Sequence, residues 1–343
     1  MGEVGQFNGL LLYFVTFSLA LVVSLYMVPI VRRIASTTGL LDKPDGRLKT
    51  QNEPMPYLGG LAIYLGFLVS LGLTVEFRHE VVGILLAATL ILLLGLLDDI
   101  GGIAPGPKVI GQIIAVCVLI KSGIWVQIAI FPVWLDIVIT VIAIIAISNA
   151  VNVIDVMDGL AGGVSLIAAL SFFVVGLISE NYVMATMAVA LAGSIVGFLY
   201  HNFPPASIYM GDAGSLFLGF MLGALAINGQ YVATHDIGLL APIFILGIPI
   251  FDTLLVMVIR FRRGDPVYFG SADHFAIRLQ KLRWSSKRIV FSTYAVAIAL
   301  GCTALSIIYL SGYFAILISG ITFLVIMGVG IWFIRIEIHS EQD

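Results

Sequence analysis

Carboxylates recur at three places in this 343-residue chain where apolar sequence gives way to glycine. The first is L-G-L-L-D-D-I-G-G, ending on Gly102, which sets Asp98 beside Asp99 at the close of an apolar run. Adjacent carboxylates at a helix C-terminus repel one another and also oppose the helix dipole. Such a pair persists where a cation binds or where one carboxyl works as a base. Lys108, a few residues on, is placed to pair with them or to contact a phosphate. The second is S-N-A-V-N-V-I-D-V-M-D-G-L, from Ser148 to Leu160. Read as helix, it brings Asp155 and Asp158 to one face, with Asn152 a turn earlier. Carboxylate and amide oxygens, with few sulfur or imidazole groups near, are donors that suit Mg²⁺. Turn chemistry before Gly159 is the alternative reading. The third is H-N-F-P-P-A-S-I-Y-M-G-D-A-G-S, from His201 to Ser215. Pro204 and Pro205 stop one helix, and Asp212 opens the next as an N-cap or as a ligand among small residues.

Cations gather in two further stretches. Asp42–Gly60 carries Lys43, Arg47 and Lys49 among Pro44, Gly46, Pro54 and Pro56. It reads as a non-helical landing site for phosphorylated ligands or anionic headgroups, or as a plain topological anchor. Between Arg260 and Arg288, Ser271 reads as an N-cap, and Phe275, Leu279 and Leu282 line one helical face. Arg278 and Lys281 are expected to stand off that face, giving an interfacial helix with His274 at its start. Asp252 lies alone inside an apolar run, either functional or hydrogen-bonded to a neighbouring helix.

The elements that position these groups follow from composition. The chain is 60% hydrophobic and 11% charged, too little charge to keep a soluble surface of this size wet. Apolar runs predict about eleven membrane-spanning helices in an all-α, polytopic fold. They cover Gly9–Ile30, Tyr57–Val75, Val81–Leu97, Val109–Ile124, Val133–Val153, Leu160–Ile178, Tyr182–Tyr200, Ala213–Ile227, Ile237–Ile259, Val290–Tyr309 and Tyr313–Ile334. Alternating the loops, with the N-terminus outside and the C-terminus cytoplasmic, leaves only Arg78 and Lys121 of the 17 Lys and Arg outside. Residues 1–343 then form one transmembrane domain with inside loops 31–56, 98–108, 154–159, 201–212 and 260–289, and the polar motifs share a cytoplasmic cleft. Cys117 and Cys302 read as small hydrophobes rather than a disulfide or metal pair. Met1 to Gly9 lacks the basic region of a cleavable signal, so the first span is expected to stay in the membrane.

L-D-D at Asp99, N-x-x-N-x-x-D-x-x-D-G-L from Asn149 and M-G-D-A-G-S from Met210, in that order, resemble the polyprenyl-phosphate N-acetylhexosamine-1-phosphate transferases. The resemblance runs from P-x-P-x-L-G-G at Pro54 to the basic loop near Arg288. It implies transfer of a sugar 1-phosphate from a UDP-N-acetylhexosamine, most simply UDP-GlcNAc, to polyprenyl phosphate, releasing UMP at the bacterial cytoplasmic membrane. It also implies Mg²⁺, with Mn²⁺ as a substitute. Asp98, Asp99 and Asp212 correspond to the catalytic carboxylates, and Asp212, Asp99 and Asp155 to the metal ligands. Asn152, Asp155 and Asp158 match the nucleotide and diphosphate end and Asn202 a position near the uracil; Lys108, His274 and Arg278 are further candidate substrate-binding residues on their own chemistry. No nucleic-acid partner is expected, and a homodimer is an open option. The branch acting on UDP-MurNAc-pentapeptide carries a histidine run in its last inside loop, and another branch an H-I-H-H pattern. His274 stands alone here, which favours UDP-GlcNAc and puts any role of the missing histidines in doubt. From another class, an ion-coupled transporter would place its acids on broken helices near the bilayer midplane, where only Asp252 approaches.

Overall fold

The computed structural model describes residues 3–42, 53–128, 130–229, 231, 236–265 and 273–336. Lys43, Arg47, Lys49 and Ser271 fall outside them. In chain order the elements are α1 (Glu3–Thr38), the two-residue strands β1 (Leu41–Asp42) and β2 (Met55–Pro56), α2 (Gly59–Thr74), α3 (His79–Gly101) and α4 (Pro105–Lys121). There follow α5 (Val133–Val153), α6 (Leu160–Ile178), α7 (Tyr182–Asn202) and α8 (Gly211–Asn228). A 3₁₀ turn (Asp236–Leu240) leads into α9 (Ala241–Ile245), α10 (Gly247–Arg263), α11 (Phe275–Lys281), α12 (Ser286–Tyr309) and α13 (Gly312–Arg335).

Every apolar run of the sequence is helical, as expected of chain that must satisfy its backbone without water. Among the described residues, eight helices are long and apolar enough to cross a membrane, and the bent pair Ile237–Ile245 and Gly247–Arg263 meets the same test only when its two parts are taken together. The other two expected spans are α2, with 16 residues, and α4, with 17. The chain is thus a multi-pass, all-helical membrane protein.

The uninterrupted ninth span is corrected. Ile237–Ile245 and Gly247–Arg263 meet at 75°, because Gly247 and Pro249 fall where a continuous helix would need a regular backbone donor and a restrained residue. Three further expectations change. Asp155 and Asp158 do not share a helical face, since α5 ends at Val153 and both lie in the turn before α6. Asp212 is not the N-cap of α8; it sits inside the first turn, after Met210 in the cap position. Arg278 does not stand off the apolar face of α11 but is buried.

Packing places α7 and α8 at the centre. Both bury most of their residues, whereas α13 buries only Ala315, Ser319 and Phe333. Helix α8 lies against α2, α3 and α5, while α7 lies against α1, α2 and α6. Gly95 is what lets α3 approach α8: a Cβ there would collide with the backbone of Ala213. Successive antiparallel helices bring the C-termini of α3, α5 and α7 to the same end as the N-termini of α4, α6 and α8. All three acidic motifs therefore meet at one end of the bundle.

Candidate active site

At that end the sequence's repelling pair is resolved by two different partners. Asp98 accepts the backbone N–H of Ile103 through Oδ1 at 2.6 Å, and its Oδ2 meets Lys108 Nζ at 2.6 Å. Asp99 turns the other way. Its two carboxylate oxygens accept the N–H groups of Asp212 (2.8 Å) and Ala213 (3.1 Å), so it caps α8 from a different helix. These are orphan donors at the positive end of a helix, where a carboxylate is most welcome. The cap that sequence assigned to Asp212 is supplied by Asp99.

Lys108, in the first turn of α4, ties the motifs together. Its ammonium lies 2.6 Å from Asp212 Oδ2 as well as 2.6 Å from Asp98. Asp212 Oδ1 accepts Asn152 Nδ2 at 2.8 Å, and Asn152 also donates to Ser215 Oγ at 2.9 Å. One lysine thus faces carboxylates from α3 and α8, and the last turn of α5 reaches in with an amide.

The turn between α5 and α6 contributes Asp155. Burial, then the negative fields of Asp212, Asp99 and Asp158, push its carboxyl up to about 7. The turn itself is held on three sides. Asp158 Oδ2 accepts the N–H of Ala206 (2.9 Å), Asn202 Oδ1 accepts that of Gly159 (2.9 Å), and Tyr294 on α12 donates to the Gly159 carbonyl (2.6 Å). Gly159 takes φ +74°, a conformation open to glycine. Asn202, whose Nδ2 also bonds the Ile208 carbonyl, is buried and braces this turn.

Two further supports escaped the sequence reading. Tyr57 donates to the Asp99 carbonyl at 2.7 Å. Its segment lies alongside residues 209–210, with Gly59 and Gly60 donating to the carbonyls of Tyr209 and Met210 (3.0 and 2.9 Å). Gln112 and Asn149 exchange amide hydrogen bonds at 3.2–3.3 Å. Proline and glycine around Tyr57 signalled a loop but not its destination, and Tyr294 carried no local signal.

His274 and Arg278 belong to a separate cluster. His274 Nδ1 bonds Asp252 Oδ2 at 2.7 Å, and Asp252 Oδ1 accepts the Phe275 N–H at 2.9 Å. Arg278 bonds the Asp273 carboxylate and carbonyl and the carbonyls of Phe333 and Ile336 at the end of α13. Asp252 is therefore a buried acceptor that anchors the start of α11 to α10, and Arg278 staples α11 to the end of α13.

No three carboxylates, cysteines or histidines converge as a ready metal cage among the described residues. The donor set still suits a hard cation. Lys108 sits between the carboxylates of Asp98 and Asp212 as a cation would, and Asp155 lies near enough to feel the charge of Asp212 and Asp99. Mg²⁺ commonly takes only one or two protein carboxylates and completes its shell with water and phosphate oxygens.

Fold and site together define a polytopic membrane protein with a cluster of carboxylates around one lysine at one end of its helical bundle. Residues 81–230 match the model of glycosyl transferase family 4. The chain is 32% identical over 302 residues to the probable undecaprenyl-phosphate N-acetylglucosaminyl 1-phosphate transferase of Bacillus subtilis, covering 85% of this chain and 84% of the relative. It is 32% identical over 313 residues to the decaprenyl-phosphate N-acetylglucosaminephosphotransferase of Mycobacterium tuberculosis, covering 80% and 77%. Identity to the phospho-N-acetylmuramoyl-pentapeptide-transferase of Bacillus cytotoxicus is 28% over 315 residues, covering 83% and 93%. The chain belongs to glycosyl transferase family 4, among the polyprenyl-phosphate N-acetylhexosamine-1-phosphate transferases, and the transporter alternative is set aside.

Proposed function

We propose that this protein transfers GlcNAc-1-phosphate from UDP-GlcNAc to a polyprenyl phosphate such as undecaprenyl phosphate, releasing UMP, at the cytoplasmic face of a bacterial inner membrane. The observation that carries the reading is Lys108 held 2.6 Å from both Asp98 and Asp212, with Asn152 on the other Asp212 oxygen. The names of the relatives supply the substrates, and their higher identity favours GlcNAc over the MurNAc-pentapeptide donor.

Phosphoryl transfer needs positioning and charge neutralisation more than covalent help from the protein. In the proposed reaction an oxygen of the lipid phosphate bonds to the β-phosphorus of the donor. The bond from that phosphorus to the bridging oxygen breaks, and UMP leaves with the electron pair. Asp212 and Asp155 are the proposed direct ligands of Mg²⁺, with Asp99 behind them fixing the N-terminus of α8. Mg²⁺ supplies Lewis-acid neutralisation of the diphosphate oxygens when bound. Asp98 receives the acceptor's proton where the lipid phosphate arrives protonated. Lys108, released from one of its carboxylates, offers its ammonium to a phosphate oxygen. Asn152 and Asp158 face the nucleotide end.

The test uses purified protein in detergent with polyprenyl phosphate, Mg²⁺ and a panel of UDP-sugars, following UMP and lipid product together. Product from UDP-GlcNAc, lost with EDTA and reduced on the order of 10²–10³-fold in Asp212→Asn, is the expected result. Product from UDP-MurNAc-pentapeptide alone would transfer the chain to the other branch. No UMP from any donor, with folded protein, would end the transferase reading.

A further inference from the structure

Outside the acidic site, the cytoplasmic end of the bundle carries a second feature of the opposite charge. Pro29, Arg32, Arg33 and Ser36 of α1 and His201 of α7 line an open cavity of about 300 Å³. Neither guanidinium has an ion-pair partner among the described residues. The catalytic carboxylates come from α3, α8 and the turn after α5, whereas the cavity is lined by α1 and α7. The basic lining follows from helix length: α1 has 36 residues, about 54 Å, against roughly 30 Å of hydrocarbon. Its last turns therefore emerge at headgroup level.

The surface below the cavity is apolar. Tyr26, Ile30 and Arg33 follow one another at helical spacing along α1, and Tyr26 and Ile30 are 68% and 47% exposed. Next to His201 in the chain, Tyr200 is 78% exposed and meets the His201 ring edge-on at 5.0 Å. A Tyr at the water boundary, with its apolar body facing lipid, is a common interfacial arrangement. An acyl chain lying along the Tyr26–Ile30 stripe would end with its headgroup between two arginines and an imidazole.

We propose that this cavity binds the phosphate of an anionic phospholipid of the cytoplasmic leaflet, at a site separate from the one that holds the acceptor lipid. Charge complementarity selects the occupant: two guanidiniums without an ion-pair partner among the described residues and a ring N–H suit a phosphodiester, and basic pockets between helices on this side of a membrane suit such headgroups. The assignment does not depend on which sugar nucleotide the enzyme uses. Its link to the site is short, because His201 precedes Asn202, which braces Gly159, and the His201 carbonyl accepts both the backbone N–H and the hydroxyl of Ser207.

Native mass spectrometry of the purified full chain tests this. Wild type, R32Q/R33Q, R32K/R33K and Ser36→Glu are each offered dioleoylphosphatidylglycerol, dioleoylphosphatidylcholine or undecaprenyl phosphate. Wild type is expected to retain one phosphatidylglycerol in preference to phosphatidylcholine. R32Q/R33Q and Ser36→Glu should bind it about tenfold or more weakly, R32K/R33K nearly as well as wild type, and undecaprenyl phosphate should be held equally by all. Should R32Q/R33Q fail to fold, Ser36→Glu reads the same contact from an exposed position. Unchanged phosphatidylglycerol binding in the folded variants overturns the proposal. So does a loss confined to undecaprenyl phosphate, which would give the cavity to the acceptor lipid.

Discussion

Asp98 and Asp99 are chemically identical neighbours with separate duties. Asp98 faces Lys108, whereas both oxygens of Asp99 are committed to α8. Asp99→Asn keeps the size and removes the charge and one acceptor oxygen. Loss of a cap costs about 1 kcal/mol, and more where a buried N–H is left without a partner. Asp99→Asn should therefore lower thermal stability as well as UMP release, while Asp98→Asn should lower activity with a smaller thermal effect. Equal thermal shifts in the two variants would refute the separate duties. At Asp155 the prediction concerns pH. A carboxyl standing at about 7 in the native state, against roughly 4 when unfolded, keeps its proton in the folded, cation-free protein. The linked stability is full below about 4 and is lost as pH rises through about 7. Mg²⁺ needs the deprotonated group, so its affinity should fall as pH drops below about 7, approaching tenfold per unit. Titrating Mg²⁺ against UMP release at pH 6 and pH 8 reads this directly, and Asp155→Asn should flatten the difference.

At the scale of elements, the turn carrying Asp155 and Asp158 is fixed by contacts from α7 and α12 rather than by its own sequence. Removing the Tyr294 hydroxyl leaves the Gly159 carbonyl without its donor, a loss of about 1–3 kcal/mol where the group stays buried. Tyr294→Phe should raise the KM for the UDP-sugar more than it changes the KM for the lipid, because it loosens the nucleotide end. Gly95→Leu is the matching test at α3. It drives a side chain into the backbone of Ala213, displacing α8 with Asp212 on it, and overpacking of this kind costs about 1–3 kcal/mol. The helices themselves were legible from apolar runs, since a bilayer demands such runs. The break after Ile245 was legible only in part: Gly247 and Pro249 were present, but the run around them stayed apolar. The turn at Asp155 falls in the expected 154–159 loop, but a three-residue spacing suits helix as well, and the contacts of Asn202 and Tyr294 with Gly159 decide between them. Arg278 was misplaced because its acceptors at Phe333 and Ile336 are 55 and 58 positions away in the chain.

For the molecule as a whole, sidedness decides whether the chemistry can occur. The acidic motifs and most of the basic residues among those described lie at one end, and a sugar nucleotide made in the cytosol reaches that end only if it faces inward. The positive-inside asymmetry predicts that it does. Two exposed positions test this in a background where Cys117 and Cys302 are replaced by serine. Glu76 lies in the connection between α2 and α3, where its 3.6 Å contact with Arg78 is fully solvated and contributes little, so Glu76→Cys should be harmless. Arg262 stands exposed in the last turn of α10. A membrane-impermeant maleimide added to intact cells should label Glu76→Cys at once and Arg262→Cys only after permeabilisation. The reverse pattern would turn the acidic cleft away from the cytosol, and UDP-GlcNAc could then no longer be its donor, whatever the geometry around Asp212.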